Sequence, residues 1–315
     1  MAITSVSVLP PAVRDYYDRL LLMTAYPTLI HTKFAQRRML PRKMGDTVVM
    51  RRYNRLATVP VPLVDGITPP GTQLSATDIK ARVDFYGNFV TITNQVELTV
   101  EDRVLNEAAR LLAQNLGQTM DEVTRDVLAS TSSVLQCSNG NNGNTPTELT
   151  YEDISAAVTT LLGNDAEMIS EVITSQGSLF GTTPIRPAFW GFIDTDLLTD
   201  LENVGDMFVP TSQYPSQQSV LESEWGSTGN VRWLYTSVGS VSSASPAVFN
   251  NFIVGKEAYG VVHLGAETGD FYIKPLGSAG SADPLDQRGT VGWQHPFVAR
   301  ILNDAFMLNL EATAA

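Results

Sequence analysis

Thr47-Val48-Val49-Met50-Arg51-Arg52-Tyr53 and Ile79-Lys80-Ala81-Arg82-Val83-Asp84-Phe85 are two runs suited to extended backbone. The first is rich in β-branched residues, and the second alternates apolar with polar side chains at the strand period. Phe89-Val90-Thr91-Ile92-Thr93 extends the second run. Between them stand Pro60, Pro62, Pro69, Pro70, Gly66 and Gly71, which exclude a helix and a central strand. The reading is a long β-hairpin with a proline-rich tip. A loop of this length inside a compact domain is uncommon unless it is functional or rests on something else. A supporting neighbour is therefore the simplest expectation.

Working outward, the period changes after the hairpin. Thr99 reads as an N-cap, with Asp102 as its capping-box-like partner and Glu101 at the positive helix end. Leu105, Leu112, Leu116, Met120, Val123 and Val127 share one apolar face, and no proline interrupts before Pro146. This predicts one helix to about residue 130, roughly 45–50 Å long at 1.5 Å per residue. Gly117 in its interior costs about 1 kcal/mol relative to alanine. Residues 138–144, Ser-Asn-Gly-Asn-Asn-Gly-Asn, form a polar, low-complexity turn segment, with Cys137 read as an inert thiol at the helix end.

Shorter elements follow. Thr150-Tyr151-Glu152-Asp153 caps a helix carrying Ile154, Ala157, Val158, Leu161 and Leu162. Pro187 to Ile193 is a buried-strand type of run leading into a helix at Leu197 to Leu201; further strands are expected at 231–235 and 249–254 and across 297–310. On the other side of the hairpin, Pro10-Pro11 precedes a short amphipathic helix over residues 12–23, in an arm with one docking helix. The fold class is α+β, without a regular βαβ repeat.

The chain has 315 residues, 43% hydrophobic and 17% charged, enough to bury a sizeable core in one large or two ordinary domains. It contains no apolar run of membrane-spanning length and no basic-then-apolar leader at Met1 to Ser5. One cysteine excludes an intramolecular disulfide framework and suits a reducing cytoplasm. Net charge is −12 but unevenly spread: residues 1–110 hold 14 basic against 10 acidic groups (+4), whereas 111–315 hold 7 against 23 (−16). Eight cations, Lys33, Arg37, Arg38, Arg42, Lys43, Arg51, Arg52 and Arg55, crowd one 23-residue window whose only acid is Asp46. Such a split suits head-to-tail contacts between identical copies; a solvated basic stretch is the plainer alternative.

Chemical motifs are absent. No nucleophile elbow, dinucleotide glycine fingerprint or phosphate loop occurs, since Gly255-Lys256 lacks the flanking residues. His31, His263 and His295 have no ligand spacing and read as satisfied or surface histidines. Asp194, Asp196 and Asp200 lack the glycine and closing glutamate of a calcium loop and read as helix-start carboxylates. Thus no catalytic residue, cofactor or metal site is expected, and the chain is not expected to be an enzyme. The basic window permits nucleic-acid binding, but it brings neither a recognition helix nor a stacking sheet.

The order of elements, arm, hairpin, long helix, mixed domain and closing strands, resembles the HK97-like fold of tailed-phage major capsid proteins. Leu9-Pro10-Pro11-Ala12-Val13, Tyr16-Tyr17-Asp18-Arg19-Leu20-Leu21 and His31-Thr32-Lys33-Phe34-Ala35-Gln36-Arg37-Arg38 are similar to the opening of the N4-like phage capsid family. So are Gly66-Ile67-Thr68-Pro69, residues 252–261, residues 283–293 and Ala299-Arg300-Ile301-Leu302-Asn303-Asp304. The resemblance implies an N-terminal arm (1–39), an extended loop (40–95) and a peripheral domain with a spine helix (96–147). An axial domain (148–265) and a return to the peripheral domain (266–315) follow. It also implies hexamers and pentamers closing into an icosahedral virion shell around double-stranded DNA, assembled in the host cytoplasm with no membrane partner.

The expected partners are further copies, a separate scaffolding protein, a portal protein, a decoration protein and, non-specifically, packaged DNA. The eight cations become inter-subunit contacts, with Glu152, Asp153, Glu167 and Glu171 as acidic partners. Residues 57–76 contain no lysine, so covalent cross-linking through the loop is not expected. A cellular encapsulin-like compartment and a nucleic-acid-binding assembly protein are the alternatives.

Overall fold

The computed structural model describes residues 30–94 and 104–314, apart from 42, 44, 57, 59–61, 63–64, 67, 69–70, 170, 174–178, 182–186, 206, 215–219, 244, 266–268, 276–277 and 279–282. Its opening elements are β1 (Gln36–Leu40), β2 (Thr47–Tyr53), β3 (Ala76–Arg82), β4 (Asp84–Thr93), helix α1 (Val104–Ala129), β5 (Val134–Gln136) and helix α2 (Tyr151–Gly163). Next come β6 (Glu171–Ile173), β7 (Leu179–Gly181), β8 (Phe189–Asp194), helix α3 (Leu198–Asn203), β9 (Phe208–Pro210), β10 (Glu224–Thr228) and β11 (Val231–Thr236). The chain closes with β12 (Ser240–Val241), β13 (Val248–Val254), β14 (Tyr259–Leu264), β15 (Asp270–Lys274), β16 (Arg288–Ile301) and β17 (Met307–Thr313). The predicted arm helix and the cap at Thr99 lie outside the described residues.

Two sheets organise these elements. The five-stranded sheet is built on β16, whose 14 residues are long enough to take three partners. Along one edge β4 pairs with it antiparallel from Phe297↔Asp84 to Arg288↔Thr93. The other edge is shared by β15, from Gln294 to Thr290, and β14, from Ile301 to Phe297, and β1 adds to β14 in parallel. Helix α1 covers one face of this sheet. Ala108, Ala109, Leu112, Ala113, Leu116 and Met120, spaced to share a helix face, pack on Ile92, Val261, Val291, Trp293, Phe297 and Ala299. Asn115 on α1 accepts from Asn88 Nδ2 (3.0 Å) and Trp293 Nε1 (3.2 Å), fixing the helix to two strands.

The second sheet has eight strands, ordered β5-β17-β13-β8-β11-β10-β9 with β12 on β13. Its central strand β8 is buried throughout, and Ile154, Ala157 and Leu161 of α2 share one apolar cluster with Phe189 and Ile193 of β8 and Leu308 and Leu310 of β17. At Gly191 a Cβ would lie 2.3 Å from the Trp233 ring, so only glycine lets Trp233 cross β8 there. A third apolar cluster joins the two sheets: Ile30, Phe34, Leu128, Trp190, Phe192, Phe252 and Tyr259.

Three expectations are refined. The run 79–93 is not one strand: Val83, buried at 4% exposure, separates β3, which pairs with β2, from β4, which joins β16. The closing run 297–310 also divides, because residues 302–306 turn between β16 and β17 in different sheets. Cys137 follows β5 rather than ending a helix; it is buried, and burial pushes its thiol far above the ordinary value. The helix-capping reading of Thr150 holds, with a capping box to Asp153, and Asp194 caps the turn before α3 by accepting from Asp196 N.

Candidate assembly interface

The hairpin is a two-stranded ribbon. β2 and β3 pair from Thr47↔Arg82 to Tyr53↔Ala76, and Asn54 N donates to Ser75 O (2.9 Å) beyond them. One face of it packs on its own subunit: Met50, Ala81 and Val83, with Val48 and Ile79 partly buried beside them, meet Leu40, Val262 and Val298 on the sheet face opposite α1. On its other face Val49 (52%) and Tyr53 (65%) are exposed, as are Leu56 (46%) and Leu74 (66%) further along. A two-stranded hairpin needs such packing, being marginally stable alone in water. Elsewhere the same sheet face carries a second apolar patch, Phe85, Phe89 and Tyr272, all exposed. Phe89, Gly292 and Tyr272 lie in one cross-strand row.

The basic window maps onto this ribbon and the strand before it. Lys33 is half-buried, and burial lowers its pKa against the opposing pull of Glu222 and Asp121. Arg37 and Arg38 lie in β1, with Arg38 exposed. Arg51 bonds Asp78 through both Nε (2.7 Å) and Nη2 (3.0 Å) across the ribbon, a bidentate pair on an exposed surface. Arg52 reaches Leu302 O at 3.4 Å, and Arg55 reaches Asp165 at 2.5 Å. Lys43 is exposed in a left-handed turn (φ 69°), and Arg42 lies outside the described residues. Of the acids named as partners, Glu152 and Glu167 are exposed, Glu167 beside Lys256 at 3.2 Å. Asp153 does not qualify. It is fully buried and accepts from Ser138 N, Gly140 N, Thr150 N and Thr150 Oγ1 within its own chain.

Residues 30–34 are held by a buried clasp that sequence spacing does not reveal. Asp121, on α1, accepts from Ile30 N (2.9 Å) and His31 N (2.7 Å) through Oδ1, and its Oδ2 meets His31 Nδ1 at 2.7 Å. Tyr259 Oη donates to His31 O, and the imidazole lies against Phe192 and Phe252. Phe34 stacks on Trp190 at 4.5 Å. This segment is thereby tied to α1, to β14 and to the eight-stranded sheet at once. The available sequence signal was a carboxylate, Asp121, directly after Met120 in the apolar stripe.

Two further buried polar groupings were not foreseen. Arg232 and Glu224 form a bidentate ion pair (2.7 and 2.6 Å) almost without solvent contact, with Trp190 beneath the guanidinium at 4.3 Å and Tyr214 Oη donating to Glu224. His263 and His295, distant in sequence, meet at 2.9 Å between β14 and β16. Burial depresses them to about 3 and about 4 respectively. Among the described residues no group of three or more His, Cys, Asp or Glu could hold a metal ion. No described helix is long and apolar enough to cross a membrane.

Compared by sequence, the chain matches no family model and no curated protein. Compared by structure, it is similar to the capsid of Ralstonia phage GP4 (TM-score 0.67, 13% identity, covering 92% of this chain and 90% of that one). It is similar to the head structure of Helicobacter pylori bacteriophage KHP40 (0.63, 11%, 92% and 90%). The SrpI encapsulin complex of Synechococcus elongatus also matches (0.55, 9%, 88% and 84%). At these identities the likeness is one of fold: the chain has the HK97-like fold of phage capsid subunits.

Proposed function

We propose that this chain is a major capsid protein, a structural rather than catalytic subunit of an icosahedral phage shell enclosing double-stranded DNA. The observation that carries the reading is the ribbon: one face packs on its own subunit, while the other, apolar and basic, is exposed along its described residues. A second copy covers that exposed face. The exposed Phe85, Phe89 and Tyr272 are the surface on which a neighbour's ribbon rests, and Arg38, Lys43 and Arg52 meet acidic groups of adjacent subunits. Many modest contacts closed at once give a shell more stable than any single pair.

Within this reading the arm, extended loop, spine-helix domain and axial domain take the boundaries expected from sequence, and the capsomers are hexamers and pentamers. The N4-like phages are the proposed kin. A separate scaffolding protein, a portal and a decoration protein are the proposed partners, in the host cytoplasm during assembly and in the virion afterwards. The encapsulin neighbour supports a second reading, a compartment of the same fold without DNA.

Electron microscopy of the purified chain, alone and with its candidate scaffolding protein, tests both. Closed particles of uniform size are expected. Assembly without any scaffold, around protein cargo, favours the compartment; compact monomers under both conditions, with residues 33–76 protected from protease, refute both.

A further inference from the structure

Among the described residues, β5 is the outermost strand of the eight-stranded sheet on its side and pairs with β17 alone. Asn309 N donates to Ser133 O (2.9 Å) and Cys137 N to Glu311 O (2.9 Å), so the Ser133 carbonyl, Leu135 and the Cys137 amide turn toward β17, while the Cys137 carbonyl accepts from Thr147 N (2.9 Å). By the two-residue period of a strand, Val134 and Gln136 point theirs away from the sheet. An outward N–H and C=O of this kind is a template for another chain's strand.

At Gln136 the template is filled from within. Gln136 N donates to Asn142 Oδ1 (2.9 Å), and Gly143 N donates to Gln136 O (3.1 Å). Asn142 and Gly143 thus supply the acceptor and the donor that a neighbouring strand would bring. The turn that presents them is fixed: Asp153 accepts from Ser138 N (3.0 Å) and Gly140 N (2.7 Å), and Asn139 and Gly140 are both left-handed (φ 50° and 81°). A Cβ at Gly143 would approach Ser138 Cβ to 2.9 Å, so the fold-back is close enough to require glycine there.

We propose that the polar turn of residues 138–144 is an edge cap, which denies β5 to the β5 of a second copy and so leaves association to other surfaces. Two identical edges would otherwise pair antiparallel about a two-fold axis. The inference does not depend on the shell reading, because it concerns a contact that the cap prevents.

Substitution in the full chain tests it, with size distribution by light scattering and amide exchange at Gln136 as paired readouts. Asn142→Ala is expected to speed Gln136 exchange at least tenfold and to add dimers and larger species that grow with concentration. Asn142→Asp keeps an acceptor and is expected to behave as wild type. Gln136→Pro on the Asn142→Ala background removes the outward N–H without touching the β17 ladder, and is expected to restore the wild-type distribution. Unchanged exchange in Asn142→Ala, faster exchange with an unchanged size distribution, or oligomers that persist in the proline double variant would each overturn the proposal.

Discussion

Removing the carboxylate of Asp121 should release residues 30–34 while leaving both sheets folded. Asp121→Ala deletes the acceptor of two backbone N–H groups and of His31 Nδ1, all buried. A buried donor left unsatisfied costs about 1–3 kcal/mol, more where its lost partner carries charge. The three contacts act as one unit, so about 3–5 kcal/mol is the expected total, not their sum. Asp121→Asn keeps one oxygen and should cost less, about 1–2 kcal/mol. Trypsin reads the effect directly, because Lys33, Arg37 and Arg38 follow the clasp. When cleavage follows the open population, 1.4 kcal/mol is a decade, so Asp121→Ala should accelerate cuts at these three sites by roughly 10²- to 4 × 10³-fold. Cuts after Arg288, an exposed residue at the start of β16 that takes no part in the clasp, should not change. Acceleration below about threefold at all three sites, in a variant that still folds, would show that the apolar cluster alone holds the segment.

Arg232→Met or Glu224→Gln alone should lower stability by about 3–5 kcal/mol in urea unfolding, whereas Arg232→Met with Glu224→Leu should recover most of it; equal losses in all three would contradict the ion-pair reading. His263 and His295 titrate below a free imidazole, so the unfolded chain binds more protons than the folded one as pH falls from about 6.5 to 4. Their contribution is intact above pH 6.5 and is lost on acidification, at up to about 2.7 kcal/mol per pH unit for two protons. Replacing both with glutamine should flatten the urea midpoint between pH 6.5 and 4.5, and an unchanged slope would refute the assignment. Arg38→Glu with Lys43→Glu should impair assembly seen by electron microscopy while leaving subunit stability within about 0.5 kcal/mol; normal particles would sink the contact assignment.

Sequence reading succeeded where the determinant is local. Thr150 and Asp153 stand three residues apart, and the capping box forms as expected. The 3.6-residue stripe of α1 and the β-branched run of β2 needed no knowledge of partners. It fell short where a distant segment decides. Nothing local separates Arg82 from Asp84; the division arises because Thr47 claims one and Phe297 the other. The Asp121–His31 contact spans 90 positions, and the Asn-rich turn read as low complexity until Gln136 and Asp153 gave its amides and carbonyls specific partners. Of the basic window, composition gave location only; that Arg51 turns to Asp78 and Arg55 to Asp165 depends on the ribbon's register and course.

The ten-residue pairing of β4 with β16 has a mechanical meaning. Tension carried along the ribbon enters β4 at Asp84, two residues beyond the end of β3, and Asp84 is paired with Phe297. A pull along the axis of β4 loads the ten pairs in parallel, as shear, so they resist together. A pull across that axis peels them singly from the Asp84 end, at a much smaller force. In the proposed shell, a subunit tugged by its neighbours in the plane of the sheet would be stiff, and one lifted out of that plane would open like a zip.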